Sequence, residues 1–203
     1  MKRTLDLLFS CILLIALLPL LLVITTIIKT TSKGQVVFTQ KRIGADKKEF
    51  NIYKFRTMYS DTPKNMPTHL LDRPEKYITP IGKILRKTSL DELPQLLNII
   101  KGEMSFVGPR PALYNQHDLI GLRDQYDVNK LRPGITGWAQ VNGRDELEIS
   151  VKVQYDKYYL ENRSLWLDIK IIFMTAYSVI LSKGVVEGKQ VKVDKQKHYS
   201  KNI

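Results

Sequence analysis

Hydrophobic positions crowd the start of the chain. From Leu7 to Ile28, 22 residues pass without a charge, built from Leu, Ile, Val, Phe and Ala with a few Ser and Thr. At ~1.5 Å per residue a helix of that length reaches about 33 Å, enough for a bilayer core of ~30 Å. Pro19 falls near the middle, where its missing N–H removes a backbone hydrogen bond and bends the helix. Lys2 and Arg3 precede the run, and Lys29, Lys33, Lys41 and Arg42 follow it. Clustered Lys and Arg mark the cytoplasmic side of a membrane segment. A helix kinked at Pro19 that enters and leaves through one face satisfies both flanks, whereas a straight span satisfies one. A cleaved signal peptide fits poorly, because its apolar core is shorter and ends in a small-residue cleavage site.

Beyond this run the pattern shortens. Val36 to Thr39 and Phe50 to Tyr53 read as strands joined by a Gly44-Ala45-Asp46 turn. Residues 59–80, with Pro63, Pro67, Pro74 and Pro80 among polar neighbours, read as a mobile loop. Helical patterns cover about 81–87, 89–101, 112–130 and 146–162. Leu165 to Leu181 is strongly apolar but carries Asp168 and Lys170, which favours a core or interfacial helix over a span. The expected fold is mixed α/β and mostly helical, with strands too short for a doubly wound sheet. The expected division is a re-entrant membrane helix at 1–33, a catalytic domain at 34–182 and a basic tail at 183–203.

Charge sharpens this picture. The chain of 203 residues has 32 Lys+Arg against 20 Asp+Glu, a formal net charge of +12. Residues 1–58 alone hold ten Lys/Arg and three acids, so most of the surplus surrounds the apolar helix. That clustering favours anionic lipid headgroups. The single Cys11 excludes a disulfide framework, and three scattered His argue against a His cluster. A metal, if bound, is a hard ion on oxygen ligands.

The central constellation is Arg86-Lys87-Thr88-Ser89-Leu90-Asp91-Glu92-Leu93-Pro94. Ser89 and Glu92 have the spacing of a capping box, and acids suit a first helical turn on dipole grounds alone. The functional alternative is that adjacent carboxylates beside Arg86 and Lys87 bind Mg²⁺ or attack phosphorus. Downstream, Pro109 and Pro111 stiffen the backbone around Arg110, which limits the entropy lost when its guanidinium grips an anion. Arg132 to Arg144 contains three glycines suited to tight turns and close ligand approach, with Trp138 a core candidate. Lys54, in Lys54-Phe55-Arg56-Thr57-Met58, ends the strand pair facing a phosphate or the solvent. There is no P-loop lysine motif, no GxGxxG and no GxSxG.

Taken together, the segments at Lys54–Met58, Ser89–Leu93, Ser105–Pro111 and Arg132–Arg144 resemble the bacterial sugar transferases, small monotopic phosphoglycosyl transferases. Lys2-Arg3, Asp6 and Pro19 at one end, and Tyr155–Tyr159 and Ser164–Asp168 at the other, extend the likeness over nearly the whole chain. The resemblance implies transfer of a sugar 1-phosphate from a UDP-sugar, a UDP-N-acetyl-deoxyhexosamine for a short member, to undecaprenyl phosphate with release of UMP. By that likeness Asp91 is nucleophile and Mg²⁺ ligand, and Glu92 supports the metal site or proton transfer. Lys54, Arg86 and Arg110 surround phosphate, and Arg144 lies on the nucleotide side. It also implies a monotopic protein on the cytoplasmic face of the bacterial inner membrane, its globule seated on amphipathic interfacial helices, in capsule, exopolysaccharide or related glycan synthesis. One departure is visible: Leu18 precedes Pro19 where the family often has Ser. Two rivals are a ternary-complex transferase in which Asp91 only binds metal, and a membrane-tethered nucleic-acid-binding protein. The second lacks a recognition-helix pattern or an aromatic-basic platform, so no nucleic-acid partner is expected.

Overall fold

A computed structural model describes residues 1–62, 74–143 and 147–181. The apolar run forms two helices, α1 (Lys2–Ala16) and α2 (Leu18–Thr31), bent by 62° at Leu17. Pro19 is the second residue of α2, where an N–H would have no intrahelical acceptor, so the proline starts a helix at little cost. Among the described residues no single helix is long and apolar enough to cross a membrane; the bent pair passes that test only together.

Both ends of the pair are tied to the same globule. At the start, Lys2 pairs with Asp168, Arg3 donates to the carbonyls of Ile99 (2.6 Å) and Ile100 (3.1 Å), and buried Asp6 accepts from Ser105 Oγ (2.8 Å). At the far end, Arg56 donates to Ser32 O (2.8 Å) and Lys33 O (2.6 Å), closing the carbonyl end of α2. A guanidinium is well suited to such an end, because it carries several donors and opposes the negative pole of the helix.

Strands β1 (Val37–Ile43) and β2 (Glu49–Phe55) form the expected antiparallel hairpin, in register from Val37 opposite Phe55 to Ile43 opposite Glu49. Its turn passes through Asp46 (φ 53°) and Lys47 (φ 59°), whose backbones lie in the left-handed region that Asp tolerates better than most. A second pair, β3 (Ser105–Val107) and β4 (Gly134–Thr136), is parallel. Three-residue strands carry no readable alternation, and neither was expected.

The helices depart from the sequence pattern in two places. The stretch read as one helix over 89–101 is a 3-10 segment, Leu90–Gln95, followed by α4 (Leu96–Lys101). Pro94 lies inside it and withholds a donor, while Gly102 at φ 87° ends α4. Of the region 112–130, only α5 (His117–Asp124) is α-helical; Asp127 (φ 60°) turns the chain into a short 3-10 turn, Val128–Lys130. Pro80 is not a loop residue but the first position of α3 (Pro80–Thr88), where Thr79 Oγ1 accepts from Gly82 N at 3.0 Å. Residues 63–73 of the expected loop and the tail from 183 onward lie outside the described residues.

The short α6 (Trp138–Val141) leads to α7 (Ile149–Glu161) and α8 (Leu165–Ile180). One face of α8 packs Leu167 and Ile171 against Trp138, Tyr159 and Val107. The other leaves Trp166, Ile169, Ile172, Phe173 and Tyr177 exposed. A second core joins Phe50 and Ile52 to Leu96, Ile99 and Met104; a third joins Ile24 and Ile28 of α2 to Phe55 and Leu85. β2 therefore has packing on both of its flanks, from α4 and from α2. That strand carries Lys54.

Candidate active site

The site is assembled where β2, α3 and the 3-10 segment meet. α3 ends at Ser89, held at φ 56°, ψ 17° in the left-handed region. This turn redirects the chain so that Asp91 points inward and is 8% exposed. A non-glycine residue in that conformation is a local strain, of the kind that persists where the surrounding structure fixes a functional geometry. The capping box suggested by spacing does not form: Ser89 makes no side-chain cap hydrogen bond. Glu92 turns instead to Lys54, whose Nζ donates to Glu92 Oε1 at 2.6 Å, with Arg110 Nη1 at 3.6 Å from the same oxygen.

Asp91 is the electrostatic centre of this cluster. Burial pushes its carboxyl up from the ordinary 3.8 to about 6, and the Glu92 charge adds to the rise. Lys54, then Arg86 and Arg110, pull in the other direction. Desolvation wins because Asp91 lies in a low-dielectric setting while the cations around it are shared with Glu92. The result is a basic, poorly solvated carboxylate with three cations close to it, Lys54, Arg86 and Arg110.

Five of the residues singled out in the sequence are thus brought together: Lys54, Arg86, Asp91, Glu92 and Arg110. Arg144 lies outside the described residues. The glycines of the Arg132–Arg144 stretch serve packing. Cβ atoms at Gly134 and Gly137 would run into the backbone of Gly108, and one at Gly108 would meet Arg132 O. These glycines let β4 and its following turn lie flat against the segment leading to Arg110. Trp138 is buried and stacks on Tyr158, ring centroids 5.5 Å apart.

Two supporting contacts were missed in the sequence, although Tyr159, Asp156 and Asp168 lie in segments that carry the family likeness. Tyr159 connects α7 to its neighbours, its hydroxyl 2.7 Å from Asp168 Oδ1 and 3.2 Å from Val107 O. Arg123 forms a buried ion pair with Asp156. A charge inside the apolar stretch 165–181 was the available signal for Asp168; Arg123 offered none.

This architecture can be compared with known proteins. Residues 1–182 match the family model described as bacterial sugar transferase. The chain belongs to the bacterial sugar transferase family. Within that family, it is 42% identical over 190 residues to a Klebsiella pneumoniae protein named UDP-glucose:undecaprenyl-phosphate glucose-1-phosphate transferase, covering 90% of this chain and 41% of that relative. It is 37% identical over 188 residues to an Aeromonas hydrophila UDP-N-acetylgalactosamine-undecaprenyl-phosphate N-acetylgalactosaminephosphotransferase, covering 90% of this chain and 44% of the other. The chain therefore spans less than half the length of these two sugar transferases. It is also 37% identical over 197 residues to the exopolysaccharide production protein ExoY of Sinorhizobium fredii, there covering 90% of this chain and 87% of the relative.

Proposed function

We propose that the chain transfers a sugar 1-phosphate from a UDP-sugar to undecaprenyl phosphate, releasing UMP, through a covalent intermediate on Asp91. The observation that carries this reading is the buried Asp91 carboxylate with Glu92, Lys54, Arg86 and Arg110 around it, in a chain of this family. In the first step an Asp91 oxygen attacks the phosphorus that bears the sugar. The bond between that phosphorus and the bridging oxygen breaks, and UMP departs with the electron pair. In the second step an oxygen of the lipid phosphate attacks the same phosphorus and the Asp91 carboxylate is regenerated. Two steps let a soluble nucleotide leave before a long lipid arrives, so one site at a membrane surface serves both substrates.

The cations divide the charge. Lys54 holds Glu92 at 2.6 Å, which keeps the second carboxylate oriented beside Asp91. Arg86 and Arg110 offset the negative charge that gathers on the leaving UMP. The donor set suits Mg²⁺: two adjacent carboxylates supply hard oxygens, and this ion commonly takes one or two carboxylates and completes its shell with substrate phosphate and water. Asp91, with Glu92 beside it, would hold that ion, which when bound neutralises diphosphate charge.

The helix pair reads as a re-entrant anchor on the cytoplasmic face. Lys2, Arg3 and Asp6 at its start, and Ser32 and Lys33 at its end, bind one globule. A straight span would carry one set to the far side of a ~30 Å core. The hydroxyls of Ser10, Thr26, Thr30 and Thr31 fold back on carbonyls of their own helix at 2.6–3.0 Å, the arrangement that lowers their cost in lipid. The exposed apolar face of α8 supports a seat in the same interface.

The resemblance of short members favours a UDP-N-acetyl-deoxyhexosamine donor, whereas two relatives are named for glucose and N-acetylgalactosamine. UMP release from a panel of UDP-sugars with undecaprenyl phosphate and Mg²⁺ tests the reading. Turnover dependent on both donor and lipid phosphate supports it, and no turnover with any UDP-sugar contradicts it.

A further inference from the structure

The segment that carries Arg110 has an unusual way of being held. Pro109 and Pro111 have no N–H, so the run cannot be fixed by an ordinary ladder of donors. Four consecutive carbonyls take over, each bonded from a different place at 2.9 Å. Pro109 O accepts from Gly134 N, Arg110 O from Arg123 Nη1, Pro111 O from Arg42 Nη1 and Ala112 O from Ile43 N. Three of these partners belong to, or adjoin, the two small sheets. The fourth is a side chain from α5.

Arg123 is 4% exposed and Asp156, on α7, is 1% exposed. Nε and Nη2 of Arg123 both donate to Asp156 Oδ2, at 2.9 and 2.6 Å, and Nη1 is left to reach Arg110 O. A buried ion pair is a weak source of stability, because desolvating both charges offsets their attraction; an apolar pair of similar volume often does as well. Its use here lies in direction. Asp156 fixes the plane of the guanidinium, and the plane fixes where Nη1 points.

We propose that Arg123, oriented by Asp156, is a positioning residue for phosphoryl transfer, setting the backbone of Arg110 so that its guanidinium faces the diphosphate. The inference rests on the reading that Arg110 binds substrate phosphate. Arg123 touches no substrate and acts only through Arg110. Small displacements of a charged group at a reacting centre are costly, on the order of 10²-fold for about 1 Å, so its loss is visible in rate even when the fold is kept.

The test is a double-mutant cycle on the full-length chain in membranes or detergent, reading kcat and KM for UMP release. The paired change Arg123→Met with Asp156→Leu removes both charges together; Arg123→Lys keeps the charge but loses the fork, and is read on the same grid if the apolar pair does not fold. The expected result is a melting temperature close to wild type and a loss of about tenfold or more, in the same kinetic parameter that Arg110→Ala impairs. In an Arg110→Ala background the further loss is under about threefold, since coupled residues do not add. An equal loss in both backgrounds, or full activity in the folded Met/Leu variant, overturns the positioning role. Full activity in Arg110→Ala overturns the phosphate-binding reading itself, and the positioning role with it.

Discussion

Lys54 Nζ donates to Glu92 Oε1 at 2.6 Å, joining residues 38 apart in sequence across the centre of the site. The pair is mostly buried, at 17% and 16% side-chain exposure, so it is not a surface ion pair screened by salt. Lys54 is also the cation that most strongly lowers the Asp91 carboxyl. Lys54→Met should therefore release Glu92 and push Asp91 further up. The expected outcome is a fall in kcat/KM on the order of 10²-fold and an acidic limb of the pH–rate profile moved to higher pH. A profile unchanged in shape and position would contradict this role.

The pH dependence of the wild type follows from Asp91. Its carboxyl is pushed up to about 6 and must be ionised to attack, so UMP release should rise with pH through about 6. In Asp91→Asn any residual rate should lack that limb.

Stability moves the opposite way. Between about pH 4 and 6 the folded chain holds a proton on Asp91 that the unfolded chain, with a carboxyl near 3.8, has released. The stabilisation is fully present below about pH 4 and is lost as pH rises through about 6. At ~1.4 kcal/mol per pH unit the loss is on the order of 3 kcal/mol. Metal-free Asp91→Asn should melt above metal-free wild type at pH 7.5, with the gap closing towards pH 4. Equal melting temperatures at pH 7.5 would contradict the burial of an unfavourable charge.

Gly137 tests the packing beneath Arg110. A methyl group there would run into the carbonyl of Gly108 and the Gln140 side chain. Gly137→Ala should cost about 1–3 kcal/mol by overpacking and reduce turnover with it. Thermal melts and UMP release measured together check this, and a variant of wild-type stability would count against the packing.

Topology is accessible through cysteine chemistry, because Cys11 is the sole cysteine. In a Cys11→Ser background, Thr4→Cys and Gln35→Cys mark the two ends of the helix pair. Both should resist a membrane-impermeant maleimide in intact cells and react once the cytoplasmic face is opened. Labelling of Thr4→Cys in intact cells would contradict the re-entrant anchor.

What the sequence disclosed is tied to range. Lys54, Arg86, Asp91, Glu92 and Arg110 could be singled out because each sits in a short motif that carries the family likeness, and the fold brings the five together. Pro19 was legible because a proline in an apolar run has one local consequence; the bend falls at Leu17, where the proline lets a new helix begin. The helix over 89–101 was misread because its periodicity ran through Pro94. The pairs Asp6–Ser105 and Arg123–Asp156, 99 and 33 residues apart, had no local signature. Only the fold brings them into contact, and they hold the N-terminal helix pair and the Arg110 segment to the rest.

The covalent step on Asp91 can be measured directly. Purified full-length chain is incubated with Mg²⁺ and a UDP-sugar that supports turnover, without undecaprenyl phosphate, and examined by intact-protein and peptide mass spectrometry alongside UMP release. A mass increase equal to one sugar 1-phosphate less one water is expected on the peptide containing Asp91, with a matching burst of UMP, and neither in Asp91→Asn. UMP that appears only when the lipid phosphate is added, with no adduct on the chain, would contradict it.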